Sequence, residues 1–171
     1  IEQYASKLDL ADAGGGPVSR VIKAAPHAIN VLSMGEGEAT PLILLHGFAG
    51  DLNSWLFNQD ELASSRPVHA IDLPSHGASS LTEGSGSVPV LAQSVVAVMD
   101  ALGIERAHLL GHSLGGAIAL YLALNHPSRV ASTILLAPAG LGPDIDQSFI
   151  AGVLNADRRK AMQEALSRLF A

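Results

Sequence analysis

One serine of the chain lies in a setting that is typical of a nucleophile. Residues 111–115 read Gly-His-Ser-Leu-Gly, a G-x-S-x-G pattern centred on Ser113. The apolar run 107–110 precedes the pattern, and residues 116–124, which are rich in helix formers, follow it. A sharp turn between a strand and a helix exposes the serine hydroxyl, and small flanking residues let the two backbones approach closely. The pattern therefore predicts that Ser113 attacks a carbonyl carbon; the alternative is a glycine-rich connection with an incidental serine.

Backbone donors for the oxyanion that such an attack produces can also be placed. His46-Gly47-Phe48 follows the apolar run 41–45, and the end of a buried strand is where open parallel sheets bind ligands. The backbone N–H groups of Phe48 and Leu114 are therefore our candidates for an oxyanion hole. We expect His46 and Gly47 at the rim of this site. The alternative is a plain strand-ending turn in which His46 forms only local hydrogen bonds.

The histidines of the chain do not supply an obvious base for the serine. His76 follows a predicted strand and should reach the same rim, but it precedes Ser113 and has no carboxylate placed behind it. His112 adjoins Ser113 and would have difficulty reaching its neighbour's hydroxyl, whereas His126 would lie about 20 Å away along a helix. We therefore place His76 and His112 at the rim of the site. Without a base, a serine hydroxyl is a weak nucleophile at neutral pH.

The predicted elements form a mostly parallel sheet flanked by helices, which is an α/β fold. Strands and helices alternate from about residue 82 onwards, and this order implies right-handed crossovers between parallel strands. Continuous apolar runs such as 41–46 are typical of strands that are buried on both faces. The predicted strands are 18–25, 28–34, 41–46, 68–73, 107–112 and 131–137, and the predicted helices are 52–64, 88–102, 114–125, 145–155 and 157–170.

We divide the chain into three parts. Residues 1–17 are a leading segment, with a short helix over 1–13 and a glycine-rich linker at 14–17. Residues 18–143 contain the predicted sheet and the candidate site. Residues 144–171 contain two helix-like stretches, which are either ordinary core helices or the start of a helical cap over the serine.

Composition excludes several classes of function. The 171 residues are 48% hydrophobic and only 15% charged, with a formal net charge of -6, so no nucleic-acid partner is expected. No apolar stretch approaches the ~20 residues of a membrane span, and we expect no membrane partner. The chain has no cysteine, which excludes disulfides, a thiolate nucleophile and cysteine-bound metal, and fits a cytoplasmic location. We expect no metal and no cofactor bound by this segment.

Three motifs, in this order and spacing, resemble the α/β-hydrolase fold family. They are residues 46–48, residues 72–77 (Asp-Leu-Pro-Ser-His-Gly) and residues 111–116. That family orders its catalytic triad as serine, acid and histidine, with the acid and the histidine after later strands. The resemblance therefore implies that both lie beyond Ala171, that residues 144–171 begin the cap, and that the C-terminal part of the domain is absent. We expect the segment to be inactive by itself.

A narrower resemblance is carried by residues 44–57, 66–74 and 137–142. They are similar to the hydrolase-like C-terminal domain of the dihydrolipoamide acetyltransferase component of acetoin dehydrogenase complexes. The resemblance implies an upstream lipoyl domain, lipoamide and coenzyme A as acyl carriers, and other subunits of the complex as partners. Ser75 departs from that family, which usually has glycine there, and a required positive φ would shift this loop.

Transfer of an acyl group from a small-molecule substrate to a thiol, through a serine, is the function that the resemblance favours. The chain has neither an Asp-Lys-Ala or Asp-Lys-Val lipoylation motif nor the His-x-x-x-Asp-Gly motif of ordinary dihydrolipoamide acyltransferase cores, so transfer would use Ser113. Two alternatives stay open. One is hydrolysis of an ester or a carbon–carbon bond with water as acceptor, and the other is a non-catalytic module for assembly of a multienzyme complex.

Overall fold

The computed structural model of the chain describes residues 16–24, 26–81, 86–142 and 146–167. The predicted helix over 1–13 and residues 14 and 15 of the predicted linker at 14–17 lie outside the described residues. Within them, six strands form one sheet. The strands are β1 Val18–Ala24, β2 His27–Met34, β3 Leu42–Leu45, β4 Val68–Ile71, β5 Ala107–His112 and β6 Val130–Leu136.

The order of the strands in the sheet is β1-β2-β4-β3-β5-β6. β2 runs antiparallel to both β1 and β4, whereas β3 pairs in parallel with β4 and β5, and β5 pairs in parallel with β6. The prediction of a mostly parallel sheet is therefore confirmed. The strand bounds differ from the predicted ones by at most two residues at either end; β2, for example, begins at His27, where the prediction had a turn.

Five α-helices and two 3₁₀ helices lie in the described part of the chain. The 3₁₀ helices are Leu52–Trp55 and Pro127–Arg129, and the α-helices are α1 Gln59–Ala63, α2 Val88–Ala101, α3 Leu114–Asn125, α4 Gln147–Leu154 and α5 Arg159–Ser167. The predicted helices 88–102 and 114–125 correspond closely to α2 and α3. The last two helices are shorter than predicted, and residues 168–170 of the predicted helix 157–170 lie outside the described part.

The prediction of one continuous helix over 52–64 is wrong. The segment forms the 3₁₀ helix Leu52–Trp55, then a turn, then α1. Asp51 caps the 3₁₀ helix, because its side chain accepts a hydrogen bond of 2.9 Å from the N–H of Asn53. Asparagine and serine side chains in this segment compete with the backbone for helical hydrogen bonds, which favours a short helix and a turn.

The sheet carries apolar packing on both faces. All four residues of β3 and all four of β4 are buried, which explains the continuous apolar runs in the sequence. On one face, α2 and α3 pack against each other and against the strands, burying Leu91, Met99 and Ile118. On the other face, Leu52 and Trp55 from the 3₁₀ helix pack in a smaller apolar cluster.

The carboxyl ends of β3, β4, β5 and β6 lie at one edge of the sheet, and each is followed by a strained residue. These residues have φ between +20° and +160° although none is glycine: Ala49 (58°), Ser75 (64°), Ser113 (50°) and Ala137 (42°). The left-handed region disfavours residues with a Cβ by about 1–2 kcal/mol each. Because such strain clusters at functional sites, this edge is where a site is expected.

The contacts within the chain separate a unit that ends at Pro138 from a unit that begins at Ala139. In the second unit α4 and α5 pack against each other, and a Cβ on Gly152 would lie 3.1 Å from the Cβ of Ala165. Asp146 caps the start of α4 through two backbone N–H groups. A role for this unit as a cap stays a prediction.

Candidate active site

Ser113 lies in a tight turn between β5 and α3, where the G-x-S-x-G pattern predicts it. Its backbone φ is 50° and its ψ is -113°, and its side chain is half-buried. The Ser113 N–H donates to the carbonyl of Leu136 at 3.0 Å, and the Ser113 carbonyl accepts from the N–H of Ala117 at 3.1 Å. The ends of β6 and α3 therefore hold the serine backbone in its strained conformation.

Three glycines make this turn possible because the backbones around it are in contact. A Cβ on Gly111 would overlap the carbonyl oxygen of Gly115, and a Cβ on Gly115 would overlap the carbonyl oxygen of Leu45. A Cβ on Gly116 would lie 2.6 Å from the Cβ of Pro138. The expectation that small residues are needed on both sides of the serine is confirmed.

The loop after β3, residues 46–51, runs beside the serine, and we call it the β3 loop. Gly47 in this loop is buried, and a Cβ on it would lie 2.9 Å from Nδ1 of His112 and 3.2 Å from the Cβ of Ser113. His112 itself is exposed at the end of β5. The structure thus brings Gly47, His112 and Ser113 together at the carboxyl edge of the sheet.

His46 is fully buried and uses both ring nitrogens to hold backbone groups. Its Nε2 accepts a hydrogen bond of 3.0 Å from the N–H of Leu73, so the ring proton is on Nδ1, which donates to the carbonyl of Gly47 at 2.8 Å. Burial lowers the pKa of His46, and the nearby charge of His76 lowers this pKa further. His46 is therefore a neutral structural residue whose nitrogens are both occupied, which rules it out as the base for the serine.

The hydrogen bond from Nδ1 of His46 to the Gly47 carbonyl also orients the peptide that carries the predicted oxyanion donor, the N–H of Phe48. The Gly47 carbonyl accepts from His46 and also from the N–H of Gly50, at 3.1 Å. In a trans peptide the carbonyl and the following N–H point in opposite directions, so the N–H of Phe48 is directed away from His46. At the start of α3 the N–H of Leu114 has no partner within its own helix. An oxyanion hole made of these two N–H groups stays a prediction.

His76 lies in the loop after β4, residues 72–80, which we call the β4 loop. Its ring centroid is 5.1 Å from that of His46 and 6.2 Å from that of Phe48, against which it packs edge-on. Its Nδ1 is 3.0 Å from the carbonyl oxygen of Pro74. His76 therefore joins the β3 loop to the β4 loop by ring packing and is half-buried at the rim.

Sequence reasoning did not single out Asp72, although it is the most connected polar residue of this edge. Its side chain is buried, and its two carboxylate oxygens accept hydrogen bonds from three N–H donors. A Cβ on Gly77 would overlap this carboxylate, so glycine is required there. An acidic residue directly after a buried strand, with a glycine five residues later, is the signal that could have identified this role.

Ser75, where the resembling family usually has glycine, lies in the β4 loop with a positive φ. Ser75 has a φ of 64°, so the position requires the left-handed conformation that glycine adopts without strain. Its N–H donates to the carbonyl of Ser80 at 3.0 Å, and the N–H of Ser80 donates in turn to Ala28 at 2.8 Å. Ser75 thus adopts the positive φ itself, and hydrogen bonds to β2 hold the loop; a shift of the loop relative to the family stays a prediction.

The site thus consists of a serine on a strained strand-to-helix turn, beside a His-Gly loop at the carboxyl edge of the parallel strands. A sequence model described as alpha/beta hydrolase fold matches residues 40–171, well over half of the chain. The chain belongs to the α/β hydrolase fold family. The fold class expected from the sequence is thereby confirmed.

Two curated relatives of the chain, from different bacteria, have the same protein name. The chain is 42% identical over 161 residues to the dihydrolipoyllysine-residue acetyltransferase component of acetoin cleaving system of Pseudomonas putida, which covers 94% of this chain and 44% of the relative. It is 41% identical over 135 residues to the protein of the same name from Cupriavidus necator, covering 79% of this chain and 36% of the relative. The chain thus spans less than half the length of these relatives. The resemblance to this acetyltransferase family is confirmed.

A solved α/β hydrolase structure matches the described fold closely. The naproxen esterase (carboxylesterase NP) from Bacillus subtilis superposes with a TM-score of 0.81 at 28% sequence identity, covering 97% of this chain and 58% of the esterase. A fold of the same architecture therefore occurs in an esterase. This likeness supports an enzyme of the hydrolase or acyltransferase type.

In an α/β hydrolase the serine is activated by a histidine that lies within hydrogen-bond reach of its hydroxyl. Among the residues that the structure describes, none forms a hydrogen bond with the Ser113 hydroxyl. His126 is the C-cap residue of α3, and Nδ1 of His108 is 2.8 Å from the Ser132 Oγ.

Among the described residues, no group of three or more His, Asp or Glu side chains could hold a metal ion. No helix among the described residues is both long and apolar enough to cross a membrane.

Proposed function

We propose that this chain is the catalytic hydrolase-like part of an acetyltransferase component of an acetoin-cleaving system, and that Ser113 carries the acetyl group. The donor is an acetyl thioester of dihydrolipoamide and the acceptor is the thiol of coenzyme A. The observation that carries the proposal is the strained turn at Ser113 beside Gly47, in a chain that is 42% identical to the Pseudomonas putida relative over 94% of its length. Partners are the other subunits of such a complex.

The first half-reaction moves the acetyl group to the enzyme. The Oγ of Ser113 attacks the thioester carbonyl carbon, and the negative charge on the carbonyl oxygen is stabilised by the N–H groups of Phe48 and Leu114. The carbon–sulfur bond then breaks. The dihydrolipoamide thiol leaves with the proton that the serine hydroxyl lost, and the serine is left as an acetyl ester.

The second half-reaction reverses these steps with another thiol. The sulfur of coenzyme A attacks the acetyl carbonyl carbon in the same oxyanion hole, the ester carbon–oxygen bond breaks, and Ser113 recovers a proton from the incoming thiol. No oxidant or reductant is consumed, because one thioester is exchanged for another. The base that shuttles the proton is the family's triad histidine, which the resemblance implies lies after later strands.

Hydrolysis is the second candidate, and the fold match to the Bacillus subtilis esterase favours it. Both reactions share the acetyl-serine and differ in what attacks it. Water requires no binding site for a thiol, so a hydrolase would turn over acetyl esters at a rate that added coenzyme A does not change. The third possibility, a non-catalytic assembly module, would form no acetyl-serine.

The experiment measures how the full-length protein uses three acceptors. Acetyl-dihydrolipoamide is supplied with coenzyme A, with a simple thiol or with neither, and product formation is followed for the unmodified protein and for Ser113→Ala. A rate that depends on coenzyme A and vanishes in Ser113→Ala supports the proposal. A rate that is indifferent to thiols supports hydrolysis, and equal rates in both proteins would remove Ser113 from the reaction.

A further inference from the structure

The carboxylate of Asp72 is buried among hydrogen-bond donors only. Asp72 is only 2% exposed. Its Oδ1 accepts a hydrogen bond from the N–H of Leu52 at 2.7 Å. Its Oδ2 accepts from Nδ2 of Asn30 at 2.9 Å and from the N–H of Ala78 at 2.8 Å. An amide side chain has one acceptor oxygen and one donor nitrogen, so it cannot satisfy both sides. The position therefore requires a carboxylate.

The three donors belong to three separate segments. Asn30 lies on β2, Ala78 lies in the β4 loop, and Leu52 begins the 3₁₀ helix that directly follows the β3 loop. Because charge-assisted hydrogen bonds to a buried carboxylate are stronger than neutral ones, Asp72 fixes these segments against each other.

Both ends of the β3 loop are thereby attached to the end of β4. At the start of the loop, the N–H of Leu73 donates to Nε2 of His46 at 3.0 Å, and just after its end, the N–H of Leu52 donates to Asp72 at 2.7 Å. The segment between these anchors includes Gly47, which contacts Ser113, and the strained Ala49. The position of the Phe48 N–H relative to the serine therefore depends on both anchors.

We propose that Asp72 is a positioning residue for oxyanion stabilisation, acting through its hydrogen bond to Leu52. The inference rests on the proposed function, because it assumes that the Phe48 N–H stabilises an oxyanion at Ser113. Loss of this one bond loosens the far end of the β3 loop and slows acylation of Ser113. It does not reduce the number of serines that can be acylated.

The test uses a pair of variants at Leu52 in the full-length protein. Leu52→Pro removes the N–H that Asp72 accepts, and proline fits this first position of a helix, since Asp51 before it is extended (φ -149°, ψ -178°). Leu52→Ala removes the same packing but keeps the N–H. With p-nitrophenyl acetate, the burst rate measures acylation, and the burst amplitude, corrected for the ratio of the acylation rate to the steady-state turnover rate, counts the serines that can be acylated. Equal amplitudes with acylation at least about tenfold slower in Leu52→Pro are expected.

A second pair covers the outcome in which Leu52→Pro loses burst amplitude and hence folded protein. In Asp72→Asn an amide nitrogen replaces one of the two accepting oxygens, so it faces either the N–H of Leu52 or that of Ala78. Asn30→Ala removes only the donor on β2 and leaves the bond to Leu52. Slower acylation in Asp72→Asn than in Asn30→Ala, per unit amplitude, supports the inference.

Equal acylation rates within the Leu52 pair at equal amplitude would overturn the inference while leaving the proposed function intact. Where the second pair is needed, equal rates per unit amplitude would overturn it in the same way. No acylation of Ser113 in the unmodified protein, either as a burst or as an added acetyl group detected by mass spectrometry, would instead overturn the proposed function, and the inference with it.

Discussion

Gly47 lies directly against Ser113: a Cβ added to Gly47 would be 3.2 Å from the Cβ of the serine and 2.9 Å from Nδ1 of His112. Contacts this short require a neighbour to move. The β3 loop and the serine turn are therefore in contact although Gly47 and Ser113 are 66 residues apart in the sequence. No side chain fits between them at this point.

Gly47→Ala should consequently displace the β3 loop from the serine. We expect the kcat for acetyl transfer to fall by about 100-fold, the lower end of the effect of losing an oxyanion donor, with a smaller change in KM. Gly86→Ala is the control, since a Cβ on Gly86 would have no other atom within 4 Å and its backbone needs no positive φ. Equal kcat values for the two variants would contradict the role given to Gly47.

His46→Ala tests whether the buried imidazole is a structural residue. The substitution removes the acceptor of the Leu73 N–H and one donor to the Gly47 carbonyl, and it leaves a cavity. We expect the free energy of unfolding to fall by about 3 kcal/mol, measured by urea denaturation. His112→Ala removes an exposed imidazole at the same edge and should change the free energy of unfolding by well under 1 kcal/mol. A stable His46→Ala protein would refute the structural role.

Ser75→Gly should stabilise the protein. The residue has a φ of 64°, which glycine adopts without strain, so a gain of about 1 kcal/mol in the free energy of unfolding is expected. Ser75→Ala keeps the Cβ and its strain while removing the hydroxyl, and it should give no gain. Thermal denaturation of the three proteins compares these values, and equal stability of the glycine and alanine variants would mean that the strain is relieved elsewhere.

His69 makes the stability of the fold depend on pH. Burial, together with the charge of Arg20, lowers the pKa of His69 from 6.5 to about 4, and its Nδ1 lies 2.9 Å from the Ser33 Oγ. Between these pH values the unfolded chain binds a proton that the folded chain does not, so stability is complete above pH 6.5 and is lost as pH falls towards 4.

The expected contribution of His69 is a loss of about 2 kcal/mol between pH 7.5 and pH 5, measured by urea denaturation at each pH. His69→Gln removes this titration, so its stability should fall less over the same interval. His108→Gln controls for the loss of a histidine from the sheet. The same pH dependence in the His69→Gln protein as in the unmodified protein would show that His69 does not titrate with a lowered pKa.

Local patterns in the sequence were enough to predict the sheet and the serine turn. β3 and β4 are short apolar runs, and α3 lies between the turn and His126-Pro127, so periodicity and turn residues identify them directly. Gly111 and Gly115 are needed because of backbone contacts within and beside the turn, and their spacing already indicates it.

The hydrogen-bond partners of Asp72 and His46 could not be predicted, because they are far from these residues in the sequence. Asp72 accepts from Asn30 and Leu52, and His46 accepts from Leu73, at separations of 42, 20 and 27 residues. No short pattern encodes these distances. The break in the predicted helix 52–64 has a related cause, since Asp72 binds the N–H of Leu52 and the capping Asp51 binds that of Asn53.

The central claim is that Ser113 carries the acetyl group between two thiols, and mass spectrometry tests it most directly. The full-length protein is incubated with acetyl-dihydrolipoamide in the absence of coenzyme A, quenched, and digested. We predict one added acetyl group on the peptide that contains Ser113, its loss on addition of coenzyme A with formation of acetyl-coenzyme A, and no label in Ser113→Ala. Acetyl transfer to coenzyme A at an undiminished rate in Ser113→Ala, with no acetyl group on this peptide in the unmodified protein, would contradict the account.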